Sequence, residues 1–335
     1  MGIDLPLVWM IIIGFGLMMY VTMDGFDLGI GMLLPLIRDR EDRDRMVNTV
    51  APVWDGNETW LVLGGAGLLA AFPSAYSILL SALYFPLILM LIGLILRGVA
   101  FEFRFKAIEA HKPFWDRAFT WGSFIATISQ GIALGSIING FAVSNFAFAG
   151  KALDFLSPFS VFTGLCLMVA YALLGATWLV MKTDGPIQAQ MRRAAQVLVV
   201  LLLVAIAIVS VWTPAAHPGI AQRWFVLPNF AFFIPVPILV VLTSWALVRS
   251  LRHDGQAKPF VLTLFLLFLG YTGLLISIWP HIVPPSLSFR EAAGPNESLG
   301  FALVGALFII PFILAYNAWS YFVFRGKSGI GEGYH

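Results

Sequence analysis

The chain has 335 residues, 59% of them hydrophobic and only 11% charged, with a mean hydropathy of +0.88. Globular domains are roughly 45–50% apolar and about 25% charged, so a water-soluble fold of this length is excluded. The net charge of +2 sits in short segments beside apolar runs, which excludes nucleic acid as the main partner and favours lipid.

A helix needs roughly 20 mainly apolar residues to cross about 30 Å of hydrocarbon, and about nine runs of that kind occur. In chain order they are 6–36, 49–72, 76–101, 114–138, 158–180, 194–212, 224–248, 259–282 and 299–324. The stretch from Val197 to Val211 is almost continuously aliphatic, unlike the alternating strands of a membrane barrel. The expected fold is therefore an all-α integral membrane protein forming a single membrane domain over 1–335. Short connections favour antiparallel neighbours, so the runs divide into a first four-helix bundle over 1–139, a second over 158–282, and a peripheral ninth helix at 299–325.

The first run is not a cleaved signal peptide, because Met1 to Leu5 carries no positive charge and the apolar run exceeds a signal core. Met1-Gly2 lacks the Ser or Thr at position 6 that myristoylation requires. The sole cysteine, Cys166, falls inside the fifth run and is expected to pack as a small apolar residue.

Basic residues alternate sharply between successive loops. Arg38, Arg40, Arg43, Arg45, Arg104, Lys106, Lys112, Arg117, Lys182, Arg192, Arg193, Arg249, Arg252, Lys258, Arg325 and Lys327 fall on one side, and only Lys151, Arg223 and Arg290 on the other. Cytoplasmic loops retain Lys and Arg, so the N-terminus is expected outside, in the periplasm, and the C-terminus inside. Trp9, Trp115, Trp178, Trp212, Trp224 and Trp279 lie near run ends, where an indole ring suits the headgroup layer.

Arg97 is the one basic residue within a run, and it has acidic company. The first run contains Asp24-Gly25-Phe26-Asp27-Leu28-Gly29, and the second Trp54-Asp55-Gly56-Asn57-Glu58-Thr59-Trp60. Each places two acids three residues apart, roughly on one helix face, so the pairs can line a shared polar seam. Gly25, Gly29, Gly56, Gly64 and Gly65 are expected to let the two backbones approach. Asp24 precedes Arg38 by 14 residues and Asp55 follows Arg45 by 10, which puts both up to roughly 15–20 Å from the charged loop. An unpaired acid at a helix centre costs about 2.5–3.5 kcal/mol, so these groups must pair, hydrate or take up protons. Arg97 can neutralise about one of them. That suits a proton route with Glu102 at its cytoplasmic mouth, while the plainer reading is that the acids only join helix to helix.

A haem iron needs His, Met, Cys or Tyr facing it from a helix. His111, His217, His253, His281 and His335 fall in loops, run ends or the tail, and Met18, Met19, Met23 and Met90 read as core filler. No metal-ligand spacing, phosphate loop or nucleophile triad is present.

The motifs at 24–29 and 51–57, with Arg97 and Phe101-Glu102-Phe103-Arg104, resemble subunit II of cytochrome bd-type quinol oxidases, a family that includes the cyanide-insensitive oxidases. The resemblance covers the full chain. It implies a haem-free subunit of the aerobic respiratory chain that pairs with subunit I, the partner that carries haems b and d and oxidises quinol. It further implies that Asp24, Asp55 and Glu102, with Asp27 and Glu58 nearby and Arg97, Trp54 and Asn57 in support, form a proton path from the cytoplasm. Other members carry Asp at the position of Glu102 and a neutral side chain at that of Glu58. A structural quinone and a small single-helix partner belong to the same expectation, as does a bacterial inner-membrane location. Two other readings stay open at this point: a proton- or cation-coupled secondary transporter, and a structural or lipid-binding scaffold subunit.

Overall fold

The computed structural model describes residues 3–253 and 255–328; Met1-Gly2 and His335 lie outside them. Along the chain run α1 (Leu5–Leu33) with a 3-10 turn to Leu36, α2 (Arg40–Asn48), α3 (Trp54–Ala71), α4 (Pro73–Ala82), α5 (Tyr84–Lys106) and α6 (Lys112–Asn139). The hairpin β1 (Val143–Ser144) and β2 (Ala147–Phe148) follows, then α7 (Pro158–Lys182), α8 (Gly185–Ala216), α9 (Pro218–Phe225), α10 (Asn229–Phe233), α11 (Pro235–Arg252) and α12 (Lys258–Ile278). A second hairpin, β3 (His281–Val283) and β4 (Leu287–Ser288), precedes α13 (Asn296–Val323). Among the described residues, eight helices are long and apolar enough to cross a membrane. The chain is a multi-pass, all-α membrane protein.

The second predicted span differs from its expectation. It is helical only over the 18 residues of α3, because Pro52 and Val53 lie in a turn, and its first turns carry Asp55, Asn57 and Glu58 in place of apolar side chains. The third run starts early, at Pro73, and breaks at Leu83. Its first piece, α4, buries Ala75, Ile78, Leu79 and Ala82, a single helical stripe, against the two hairpins. The seventh run is likewise divided among α9, α10 and α11.

The helix ends follow local chemistry. Asp4 caps α1 by accepting from the backbone N–H of Leu7 at 3.3 Å, and it also binds Arg290 at 2.6 Å, tying the N-terminus to the second hairpin. Ser157 and Ser160 form a capping box at the start of α7. Gly140 ends α6 at φ +83°, a conformation that favours glycine.

At the opposite end, α2 is a short polar helix that carries three acids among its basic residues. Arg104 is buried between Asp116 at 2.6 Å and Asp44 at 2.7 Å, Arg43 meets Asp116 at 3.1 Å, and Lys112 meets Asp44 at 3.2 Å. The basic loops are therefore knitted together by their own carboxylates. Beside them Lys182 donates to the carbonyls of Phe324 at 2.6 Å and Gly326 at 3.2 Å, which clamps the end of α13 to α7, and Arg45 of α2 binds Asp184 at 2.6 Å and the Ser328 carbonyl at 3.2 Å.

Two apolar clusters fill the interior. One, towards the charged loops, contains Phe26, Phe101, Phe119, Tyr171 and Trp178; the other, under the hairpins, contains Trp9, Phe72, Phe155, Val283 and Phe289. Trp9 and Trp178 are thus buried and do not face headgroups. Trp178 stacks on Phe26 at 4.3 Å, and the Trp9 indole donates to the Leu299 carbonyl at 3.0 Å.

The glycines serve a different contact from the one expected. An added Cβ at Gly29 would lie 1.9 Å from the Tyr171 carbonyl oxygen, and one at Gly175 would lie 2.6 Å from the Gly29 carbonyl carbon. Gly29 therefore lets α1 cross α7, while Gly25 faces Tyr171, Gly56 faces Asn317 of α13, and Gly65 faces open space. Of the five, only Gly64, beside Leu17, lies against the α1–α3 contact.

Candidate functional site

The charged residues converge where α1, α3 and α5 meet. α1 is packed by α3, α6 and α7 and touched by α12 and α13, and its last ten residues, Asp24 to Leu33, are all buried. Asp24 and Asp27 fall in that stretch and have no exposed surface. From α5, the equally buried Arg97 donates through Nη1 to an Asp24 carboxylate oxygen, and its Nη2 lies 3.4 Å from Glu58 Oε1. Arg97 thus faces two carboxylates where one was expected.

Asp27 is held differently. Asn57 of α3 donates through Nδ2 to Asp27 at 2.8 Å and to the Met23 carbonyl at 3.3 Å, and the Tyr321 hydroxyl of α13 donates to Asn57 Oδ1 at 2.7 Å. Among the described residues, one oxygen of Asp24, one of Asp27 and Nε of Arg97 have no hydrogen-bond partner although all are buried. Three carboxyls face one guanidinium, and buried polar atoms left without partners are rare enough to call for an explanation. The arrangement can bind protons and solvent.

The expected four-acid seam is not continuous. Asp55 is exposed, on a different flank of α3 from Asn57, while Glu58 keeps about a quarter of its side-chain surface. Glu102 is exposed as well. The two outer acids adjoin a single aromatic pair, since Trp54 stacks on Phe101 at 5.4 Å and the Arg97 guanidinium stands 6.0 Å from the Trp54 ring. Glu58, in reach of Arg97 and partly exposed, lies one helical turn after Asp55 on α3.

Sequence reasoning missed an inward extension. Gln130 of α6 donates to the Tyr20 hydroxyl at 2.7 Å and accepts from the Tyr171 hydroxyl at 3.1 Å, which brings α1, α6 and α7 to one polar point a turn above Asp24. The signal was faint: Tyr20 lies four residues before Asp24 on the same face, and Gln130 interrupts an otherwise small and apolar run.

The four described histidines lie away from this site. His111 and His253 are exposed, His217 is 3.2 Å from Asn139 at the hairpin end, and His281 opens β3. No group of three or more His, Cys, Asp or Glu able to hold a metal ion occurs among the described residues. Cys166 is half-buried on α7.

Over residues 5–324 the chain matches the family described as cytochrome bd terminal oxidase subunit II. It belongs to that family. It is 29% identical to the cytochrome bd-I ubiquinol oxidase subunit 2 of Escherichia coli K12 over 96% of this chain and 95% of that one. The corresponding figures for the cytochrome bd ubiquinol oxidase subunit 2 of Bacillus subtilis are 27%, 95% and 95%. The solved bd oxidase of Geobacillus thermodenitrificans shares the fold, with a TM-score of 0.77 at 19% identity over 94% of this chain and 98% of that one. As a bd oxidase subunit II, the chain is a component of a respiratory oxidoreductase complex, and a second subunit implies a complex with subunit I.

Proposed function

We propose that this subunit is the haem-free partner of a haem-bearing subunit I in a ubiquinol:oxygen oxidoreductase and that it conducts protons from the cytoplasm towards the oxygen-reducing site. Ubiquinol is the substrate named for the relatives in E. coli and B. subtilis. The haem-free reading is supported by the described histidines, which are confined to loops and element ends. The orientation, N-terminus periplasmic and C-terminus cytoplasmic in a bacterial inner membrane, is supported by the concentration of Lys and Arg on one set of loops.

The observation that carries the proton route is the buried group of Asp24, Asp27 and Arg97, with its partnerless oxygens, joined by Glu58 to a flank bearing two exposed acids. A carboxylate on a lipid-facing helix is costly, so the flank with Asp55 and Glu102 is where a protein neighbour or confined water belongs. Protons enter at Glu102 and Asp55, reach Glu58, and exchange onto Asp24 as the Arg97 guanidinium shifts its partner. The division into bundles over 1–139 and 158–282 follows the same logic: the first carries protons and the second is apolar support.

The Asp55→Asn variant tests this, because an exposed side chain can lose its proton without disturbing the interior. The complex should assemble with full haem content while oxygen consumption per haem falls tenfold or more, the scale of losing a positioned proton-transfer group. Glu58→Gln should act in the same direction. Unchanged turnover per haem in both variants rejects the route and favours the scaffold reading, in which the Arg97 to Asp24 pair only joins helices.

A further inference from the structure

The second half of the chain supplies none of the acids of this route, yet it holds a basic concavity of its own. The turn joining α11 to α12 encloses a pocket of about 510 Å³ whose walls include Trp245, Arg249, Ser250, His253 and Lys258. We propose that it binds the phosphate of an anionic phospholipid headgroup.

Four observations support a phosphate. Arg249 and Lys258 both line the pocket, and neither forms an ion pair among the described residues. The Ser250 hydroxyl is buried and has no hydrogen-bond partner there. The first turn of α12 opens into the same region at Lys258 with no side-chain cap, leaving backbone N–H groups available to an anion. Charge agrees: Asp254 is the one acidic residue in the sequence between Asp184 and Glu291, set against Arg192, Arg193, Arg249, Arg252 and Lys258 on the two adjoining loops.

Position decides between a lipid and a soluble anion. Trp245 is 61% exposed one turn before Arg249, next to the exposed Val241 and Leu242, so the pocket begins where the apolar surface of α11 ends. The Arg249 guanidinium lies 5.5 Å from the Trp245 ring, held at the rim between acyl chains and headgroups. Basic pockets between helices on the cytoplasmic side are sites of this kind. Arg192 fixes the turn by donating to the carbonyls of Leu251 at 3.1 Å and Gly255 at 3.3 Å, which keeps the pocket open without relying on the occupant.

The test uses the whole oxidase complex, stripped of lipid by detergent exchange and titrated with phosphatidylglycerol or phosphatidylcholine while bound lipid is counted by native mass spectrometry. Phosphatidylglycerol should bind at least tenfold more tightly. The Arg249→Gln/Lys258→Gln pair should weaken that binding about 25-fold, roughly fivefold for each cation removed, with haem content and turnover unchanged. Arg193→Gln, an exposed cation off the pocket, should leave it intact. Equal binding of the two lipids, or unchanged affinity in the double variant, overturns the proposal. Displacement of the lipid by inorganic phosphate at matching concentration assigns the pocket to a soluble anion and overturns the headgroup. If the double variant fails to assemble, the selectivity of the wild-type complex between the two lipids decides by itself.

Discussion

Asp24 with Asp27 on α1 and Asp55 with Glu58 on α3 share one spacing, yet α1 buries both of its acids completely and α3 buries neither. The difference lies in the neighbours. α1 is enclosed over its last ten helical residues, Asp24 to Leu33, whereas α3 is packed by α1, α4 and α13 and presents the rest of its circumference outward. Spacing of three residues predicts that two acids share a row on a helix; it says nothing of how the helix is rolled against its surroundings. Asp24 of the enclosed pair joins a charge cluster with Arg97, and of the peripheral pair Glu58 reaches the same cation while Asp55 stays exposed.

The largest effect expected from this contrast is at Arg97. Arg97→Gln leaves Asp24 buried without its cation, and breaking a buried pair from one side costs about 3–5 kcal/mol. Little assembled complex should be recovered, measured as haem per milligram of membrane protein. Adding Asp24→Asn should restore much of it. A single Arg97→Gln variant that assembles normally would mean the enclosed pair is not held by charge.

Next in size is the comparison of two glycines. Gly29→Ala puts a methyl group 1.9 Å from a backbone oxygen and should cost at the upper end of roughly 1–3 kcal/mol. Gly65→Ala on α3 meets nothing within 4 Å and should stay within about 0.5 kcal/mol of wild type. Thermal unfolding of the detergent-solubilised complex measures both. Equal losses would show that α3 is as enclosed as α1.

The two leading acids should separate stability from turnover. Asp24→Asn should lower the unfolding temperature, because Arg97 loses its buried partner, while Asp55→Asn should leave that temperature where it was and lower only turnover. A fall in unfolding temperature for Asp55→Asn would place that side chain inside the fold after all.

Asp184 should show the smallest effect. Arg45 holds its carboxyl below the ordinary value of 3.8, so the pair contributes above that range and is lost as pH falls through it. Asp184→Asn should therefore loosen the segment after α13 slightly at neutral pH, seen as faster cleavage near Ser328, and make that cleavage less dependent on pH below about 4.

The membrane spans were legible because hydropathy alone reports them, and the apolar runs led to real helices from α1 to α13. Three features were not legible, each for a reason of its own. α2 carries six charged residues in succession, Arg40 to Arg45, so it has no apolar run to mark it and holds its shape through partners on α5 and α6. Trp178 lies near a helix end, as a headgroup-facing indole should, but Phe26 and Phe260 enclose its ring. Gly29 looks the same in sequence whichever helix it faces. As for the site, Asp24, Asp27, Arg97, Asn57 and Glu58 were identified by residue type and do come together, since an ionisable group within a membrane helix needs a partner and few were present. The Tyr20, Gln130 and Tyr171 contact escaped because its three members come from helices distant in sequence.

The crossing of α1 and α7 at Gly29 and Gly175 has a mechanical meaning. Two backbones in direct contact leave no side chain between them to flex, so the joint behaves as a rivet and not as a bearing. α1 carries the buried acids and α7 belongs to the other half of the chain, so the halves are obliged to move together. The proton route proposed past Asp24 would then depend on rotations of side chains and on water within a stiff frame, at rates set by local barriers and insensitive to any tilting of one half against the other.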